Sequence, residues 1–222
     1  MIDYKFTNQD LLQQALIHRS YLNEHAEIKL DHNERLEFLG DAVLELVVTE
    51  FLFAKYPERE EGELTAFRAA LVNTESLSQV AGELGLGDLI LLSKGEAKDN
   101  GRARQAILAD TFEAVTGAIY LDSGFESAKQ FITKHLLYKI DEIVEKNLWQ
   151  DSKSAFQEKA QALKDTTPTY QVLSAIGPDH SKTFTVGLYL GEELIAKGVG
   201  PSKQRAEQEA AREGLEQLGW GK

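Results

Sequence analysis

The apolar residues of this chain change period once, near residue 150, and that change constrains the fold more than any other feature. Up to that point the spacing is helical. Leu11, Leu12, Ala15 and Leu16 form a stripe entered through Thr7, with Asp10 three residues on as in a capping box. A long helical pattern runs from about Asn33 to Tyr56, where Pro57 ends it. Further helices are predicted over 63–71, from Thr74 or Glu75 to Gly85, over 106–121 and over 127–146, with Gly124 separating the last two. The stretch 85–105, rich in glycine, reads as irregular.

Past Trp149 the pattern differs. A short amphipathic helix over 152–163 precedes Tyr170, Val172 and Leu173, and then Phe184, Val186, Leu188 and Leu190 alternate at period 2. Gly191-Glu-Glu193 reads as a hairpin turn into Leu194-Ile-Ala196, and a last helix runs over 202–218. The order helix, three strands, helix predicts a small α+β module. The expected architecture is therefore multidomain: an all-α domain over 1–148, then an α-β-β-β-α domain over 152–222.

Composition narrows the function. The chain has no cysteine, which excludes disulfides, thiolate zinc sites and a cysteine nucleophile and fits a reducing, cytoplasmic compartment. No apolar run approaches the roughly 20 residues of a membrane span, and the start lacks the basic and apolar regions of a signal peptide. A net charge of −12 argues at first sight against a nucleic-acid partner. Its distribution says otherwise. Residues 151–222 hold 9 Lys+Arg and 10 Asp+Glu, while residues 1–150 hold 15 and 26. The acidity belongs almost wholly to the helical part.

Two acidic pairs stand out there. Glu37 and Asp41 are one turn apart on a helix, with Glu34 and Glu45 on the same general side and Leu36, Leu39, Val43 and Leu46 flanking them. Gly40, between them, allows a close backbone approach. Asp110 and Glu113 form a second pair among Ile107, Leu108, Phe112, Ala114 and Val115. Acids in apolar helix stretches need a compensating cation. Two such pairs on facing helices would offer four hard oxygen ligands, which suit Mg²⁺ or Mn²⁺ and phosphodiester chemistry. Taken alone, either pair is more often a solvated helix face, and Asp110 also suits a helix N-terminus through the macrodipole.

The run Glu34-Arg-Leu-Glu-Phe-Leu-Gly-Asp-Ala42 resembles the ribonuclease III signature at all nine positions. The segments Glu61-Gly62, Leu71-Val-Asn73, Leu92-Ser-Lys-Gly-Glu96 and Ile107-Leu-Ala-Asp-Thr-Phe-Glu-Ala114 are similar to further motifs of that family, and the C-terminal module resembles a double-stranded-RNA-binding domain. The resemblance covers essentially the whole chain. It implies a homodimeric, metal-dependent endonuclease, normally using Mg²⁺, that cleaves double-stranded RNA to leave 5′-phosphates and short 3′ overhangs. By residue-for-residue match the metal ligands would be Glu37, Asp41, Asp110 and Glu113, with Asp41 and Glu113 central to catalysis and Glu34 and Glu61 in support. Phe38 would pack across the dimer interface, where the residues alone suggest ordinary core. The implied role is processing of ribosomal and messenger precursors in the cytoplasm. A non-catalytic regulator that binds duplex RNA on the same scaffold is the alternative.

Duplex RNA is read mostly through shape, 2′-hydroxyls and phosphates. Lys153, Ser154, Gln157 and Glu158 on the helix over 152–163 are candidates for a minor-groove contact. His180, in the loop Gly177-Pro-Asp-His180, is a second candidate, although a plain surface histidine is commoner in such a loop. Ser202, Lys203 and Arg205 open the last helix, where the dipole and the basic side chains would attract phosphate; a solvated helix start explains them equally well. The family usually has two adjacent basic residues there, and this chain has Lys203 followed by Gln204. Lys94, Lys98, Arg102 and Arg104 form a further basic cluster that either touches RNA or orders its loop. His18, His25, His32 and His135 show no metal-ligand spacing and are assigned no chemistry.

Overall fold

The computed structural model describes residues 2–98, 101–178 and 182–221. The chain divides into two compact units, Met1–Trp149 and Gln150–Lys222. The first is helical: α1 (Gln9–Ala15), α2 (Arg19–Leu22), α3 (Glu34–Lys55), α4 (Glu61–Leu71), α5 (Thr74–Glu83), α6 (Leu86–Leu89), α7 (Arg102–Ser123), α8 (Phe125–His135) and α9 (Ile140–Glu145). Its core is built around α3 and α7, which bury Leu44, Val47, Val48, Phe112, Val115 and Ile119 between the surrounding helices.

These two helices pack at glycine. A Cβ at Gly40 would stand 1.8 Å from the carbonyl oxygen of Glu113, and one at Gly117 would stand 2.2 Å from the carbonyl oxygen of Leu36. Interior glycine costs a helix about 1 kcal/mol relative to alanine. Here the missing side chains allow the two backbones to touch, and this contact sets the geometry of the acidic residues beside it.

Three local expectations are corrected. The N-cap of α1 is Asn8, whose side chain accepts from the Asp10 N–H, and not Thr7. The N–H groups of Thr7 and Asn8 both donate to the Asp122 carboxylate, at 2.9 and 2.8 Å, a partner far away in sequence. The single helix expected over 127–146 breaks after His135 into a 3₁₀ turn (Leu137–Lys139) and α9, because Leu136, Leu137 and Ile140 all turn inward to the core. The irregular stretch over 85–105 contains α6 and a 3₁₀ turn (Glu96–Lys98), and α7 begins at Arg102.

The second unit has the order α10 (Ser152–Lys164), β1 (Pro168–Ile176), β2 (Thr183–Leu190), β3 (Glu193–Gly200) and α11 (Lys203–Gln217). The sheet is antiparallel in the order β1-β2-β3. A bulge between Val172 and Ser174 explains two adjacent apolar residues, Val172 and Leu173, in an otherwise alternating strand. Gly191, at φ +61°, supplies the left-handed residue of the β2–β3 turn. Both helices cover one face, where Phe156, Ala160, Leu188, Ala210, Ala211 and Leu215 form the core. No helix among the described residues is long and apolar enough to cross a membrane.

Candidate metal centre and nucleic-acid interface

The crossing of α3 and α7 brings three carboxylates together. One oxygen each from Glu37, Asp110 and Glu113 lies within 4.8 Å of the others, and all three residues are partly buried. Glu37 precedes Gly40 by about one turn on α3, and Glu113 precedes Gly117 by one turn on α7. Backbone contact at the glycines therefore sets the acids of the preceding turns face to face.

Burial dominates their electrostatics, and His18 opposes it only at Asp110. Burial, reinforced by Asp41, Asp110 and Glu37, pushes Glu113 up to about 8. Burial also raises Glu37, with Asp110, Glu34 and Asp41 adding to the effect, and it raises Asp110. Three hard carboxylate oxygens at this separation are the donor set a small divalent cation fits.

Asp41 is exposed and lies outside the group of three, although Glu113 and Glu37 both feel its charge. The fourfold carboxylate cluster expected from the spacing is thus three converging acids with the fourth at the solvent edge, where water screens the repulsion. Glu34, one turn before Glu37, is exposed and paired with Arg19 at 3.3 Å. Glu61 stands in the first turn of α4 and lines a cleft of about 450 Å³ with Phe53, Arg59 and Arg68; the structure does not bring it into the group of three.

Sequence reasoning missed Gly117 and His18. An interior glycine four residues after Glu113 is the signal for the first. His18 is half-buried beside the start of α3: the neighbouring Ile17 carbonyl accepts from the Asn33 N–H at 2.9 Å. Its Nδ1 accepts from the Ser20 N–H at 3.3 Å and lies 2.7 Å from Ser20 Oγ. Burial holds its pKa down, opposed by the charges of Glu96, Asp110 and Glu34. No spacing rule marks it, because its neighbours arrive through tertiary packing.

The second unit distributes its polar groups unevenly. Gln157 and Glu158 are exposed on α10, and Lys203 is exposed at the start of α11. Ser202 is the N-cap of α11, its Oγ accepting from the Arg205 N–H at 3.2 Å. Lys153 lies 2.5 Å from Glu207, and Ser154 Oγ donates to Asp151 at 2.7 Å. His180 lies outside the described residues, as does the side chain of Arg102. Arg104 donates to the Gly87 carbonyl of α6 at 2.6 Å; Lys94 and Lys98 are exposed.

An acidic centre on crossed helices, followed by an α-β-β-β-α module, defines a class that the comparisons identify. Residues 8–140 match the family model described as Ribonuclease-III-like, and residues 152–218 match the double-stranded RNA binding motif. The chain belongs to the ribonuclease III family. A protein named Ribonuclease 3 from Roseiflexus sp. strain RS-1 is 45% identical over 218 residues, 97% of this chain and 92% of that protein. One of the same name from Bacillus licheniformis is 46% identical over 217 residues, 98% of this chain and 87% of that protein. Among solved structures, the nuclease domain of ribonuclease III from Campylobacter jejuni matches with a TM-score of 0.54 at 47% identity, covering 59% of this chain and 87% of that one. Dicer from Pichia stipitis matches with a TM-score of 0.51 at 26% identity, covering 96% and 95% of the two chains.

Proposed function

We infer that this chain is an endoribonuclease that hydrolyses phosphodiester bonds in double-stranded RNA, with residues 1–148 as the nuclease domain and 152–222 as the duplex-binding domain. The observation that carries this reading is the convergence of Glu37, Asp110 and Glu113 at the two-glycine helix crossing. Glu37, Asp41, Asp110 and Glu113 are the residues that would hold Mg²⁺, with Mn²⁺ as a substitute. The bound ion supplies charge neutralisation at the scissile phosphate and an acidified water. Asp41, exposed outside the group of three, would complete the ligand set in this reading. Glu34, held by Arg19, adds negative charge beside Glu37, and Glu61 is assigned a supporting role in this reading.

The second domain brings the duplex. Gln157, Glu158, Lys203 and Arg205, together with Ser154, Ser202 and His180, make up the proposed RNA-contacting set. Lys153 belongs to the same surface. A domain carrying charges of near balance binds through the placement of these groups more than through its overall field.

A homodimer is the assembly that this reading assigns. On α3, Phe38 is 81% exposed, Leu46 58% and Phe53 74%, an apolar stripe that a second copy would cover. The Campylobacter jejuni nuclease domain has a region involved in dimer formation. Two symmetry-related centres would cut opposite strands, leaving 5′-phosphates and short 3′ overhangs on cytoplasmic ribosomal and messenger precursors. No observation favours the non-catalytic regulator.

The test is incubation with long duplex RNA in Mg²⁺ and in EDTA, beside a single-stranded control. Cleavage of the duplex alone, and only with metal, is expected. Intact duplex at saturating metal, with binding retained, would overturn the enzymatic reading.

A further inference from the structure

Lys153 is the residue of the duplex-binding surface whose surroundings match its expected role least. A lysine in the first turn of α10 reads from sequence as an RNA contact. Its ammonium, however, is held on two sides within the domain. Glu207 of α11 lies 2.5 Å from Nζ, and the ring of Tyr170 on β1 lies with its centroid 4.9 Å from the same atom. Both partners of the ion pair are partly buried. The positive charge is thus neutralised before a phosphate arrives, and the aromatic face offers the cation a second attractive neighbour.

The same turn is fastened a second time, through its backbone. Gln208, adjacent to Glu207, accepts from the Lys153 N–H at 3.3 Å and donates to Asp151 at 2.9 Å. Asp151 in turn caps α10, accepting from the Ser154 N–H at 3.2 Å and from its hydroxyl at 2.7 Å. Two consecutive residues of α11 therefore grip the first turn of α10, one by charge and one by amide.

These two helices carry different parts of the proposed RNA surface: Gln157 and Glu158 on α10, Lys203 and Arg205 at the start of α11. A rigid duplex presents its minor groove and its phosphates at a fixed separation, so the spacing between the helices must match it. A surface held at that spacing in advance binds without the ordering cost of finding it.

We propose that Lys153 serves RNA binding as a positioning residue, acting through its ion pair with Glu207 to set α10 against α11, and does not contact phosphate. The proposal rests on the reading of residues 152–222 as a duplex-RNA-binding domain. It places Glu207 in the binding machinery as well: an acid near a phosphate-binding helix start that is tolerated because Lys153 cancels it.

Counterion release separates the two roles. Each protein–phosphate ion pair contributes about 0.9 to the slope of log affinity against log salt concentration. The full-length protein in EDTA, so that duplex is not cut, is titrated with a blunt RNA duplex spanning about two footprints of roughly 16 base pairs over a range of KCl concentrations. Lys203→Gln, a phosphate-contact variant, is expected to make the slope shallower by about 0.9. Lys153→Gln combined with Glu207→Gln, which removes the grip and leaves no uncompensated charge, is expected to weaken binding about three- to tenfold with the slope unchanged. The exchanged pair, Lys153→Glu with Glu207→Lys, is expected to recover affinity to within about threefold of the parent. Thermal unfolding of each variant accompanies the titrations, and the exchanged pair keeps the test open should the neutral pair unfold the domain. A slope made shallower by about 0.9 in the neutral pair, or an exchanged pair that folds and still binds as weakly as the neutral pair, would overturn the proposal. A parent protein that does not bind duplex RNA at all would instead overturn the reading of the domain, and the proposal with it.

Discussion

Alanine at Gly40 or Gly117 tests whether the backbone contact between α3 and α7 builds the metal centre. By helix propensity alone each substitution should stabilise the protein by about 1 kcal/mol. The structure predicts the opposite. An added Cβ at Gly40 would stand 1.8 Å from the Glu113 carbonyl oxygen and 2.6 Å from its carbon; at Gly117 it would stand 2.2 Å from the Leu36 carbonyl oxygen. Real Cβ contacts essentially never fall below 3.0 Å, so the helices must part by at least about 1.2 Å at the first position and 0.8 Å at the second. The obstructing atoms are backbone, so no rotamer change relieves them. Overpacking of this kind costs about 1–3 kcal/mol, occasionally more, and offsets or exceeds the propensity gain. The effect on chemistry should be larger than the effect on stability, because displacements near 1 Å can cost about a hundredfold in rate. The assay is Mg²⁺-dependent cleavage of duplex RNA alongside thermal unfolding. Expected are a melting temperature unchanged or a few degrees lower and cleavage at least about 100-fold slower in Gly40→Ala, with a smaller loss in Gly117→Ala. Wild-type cleavage with a raised melting temperature in both would refute the reasoning.

Three further outcomes follow from the same geometry. Glu113→Gln should abolish cleavage while duplex affinity in EDTA stays within about twofold, because binding rests on the second domain; filter binding and gel assays read the two, and a variant that still cuts at the parent rate would remove Glu113 from the ligand set. The metal-free fold favours the neutral Glu113 carboxyl, with its pKa pushed up to about 8 from an ordinary 4.5. That contribution to stability is complete below about 4.5 and lost as pH rises towards 8, so at pH 7 metal binding should release most of a proton from this group. Calorimetry of Mg²⁺ binding in buffers of differing ionisation enthalpy measures that release; none in Glu113-containing protein would contradict the assignment. Phe38→Ser should convert dimer to monomer in sedimentation at little cost to the fold, since the side chain is 81% exposed in the single chain; an unchanged dimer would exclude Phe38 from the interface.

Much of this architecture could be read from residue spacing, and what could not has a physical cause. The period change near residue 150 separates the helical unit from the sheet-containing one because period 3.6 and period 2 are set by local geometry. The bounds of α3, Glu34–Lys55, fall close to the expected 33–56 because Pro57 stops the helix locally. The start of α1 falls one residue later than the spacing predicts because Asn8 caps it, while Asp122, 115 residues away, takes the Thr7 N–H. The break after His135 likewise reflects core packing at Leu136 and Leu137, which periodicity alone does not reveal. At the site, Glu37, Asp110 and Glu113 are legible as acids among apolar residues, but their meeting depends on two glycines, of which only Gly40 lies between paired acids in sequence. Lys153 shows the limit most clearly. Its sequence position suggests a phosphate contact, whereas its partner Glu207 lies 54 residues on and becomes visible only when α10 and α11 are packed together.

The central claim, that acids from α3 and α7 form one divalent-metal centre, is tested most directly by anomalous diffraction from crystals of the protein grown with Mn²⁺. The account predicts a peak at the helix crossing within about 2–2.3 Å of carboxylate oxygens from Glu37, Asp110 and Glu113. A peak elsewhere, or none at a Mn²⁺ concentration that supports full cleavage, would contradict it.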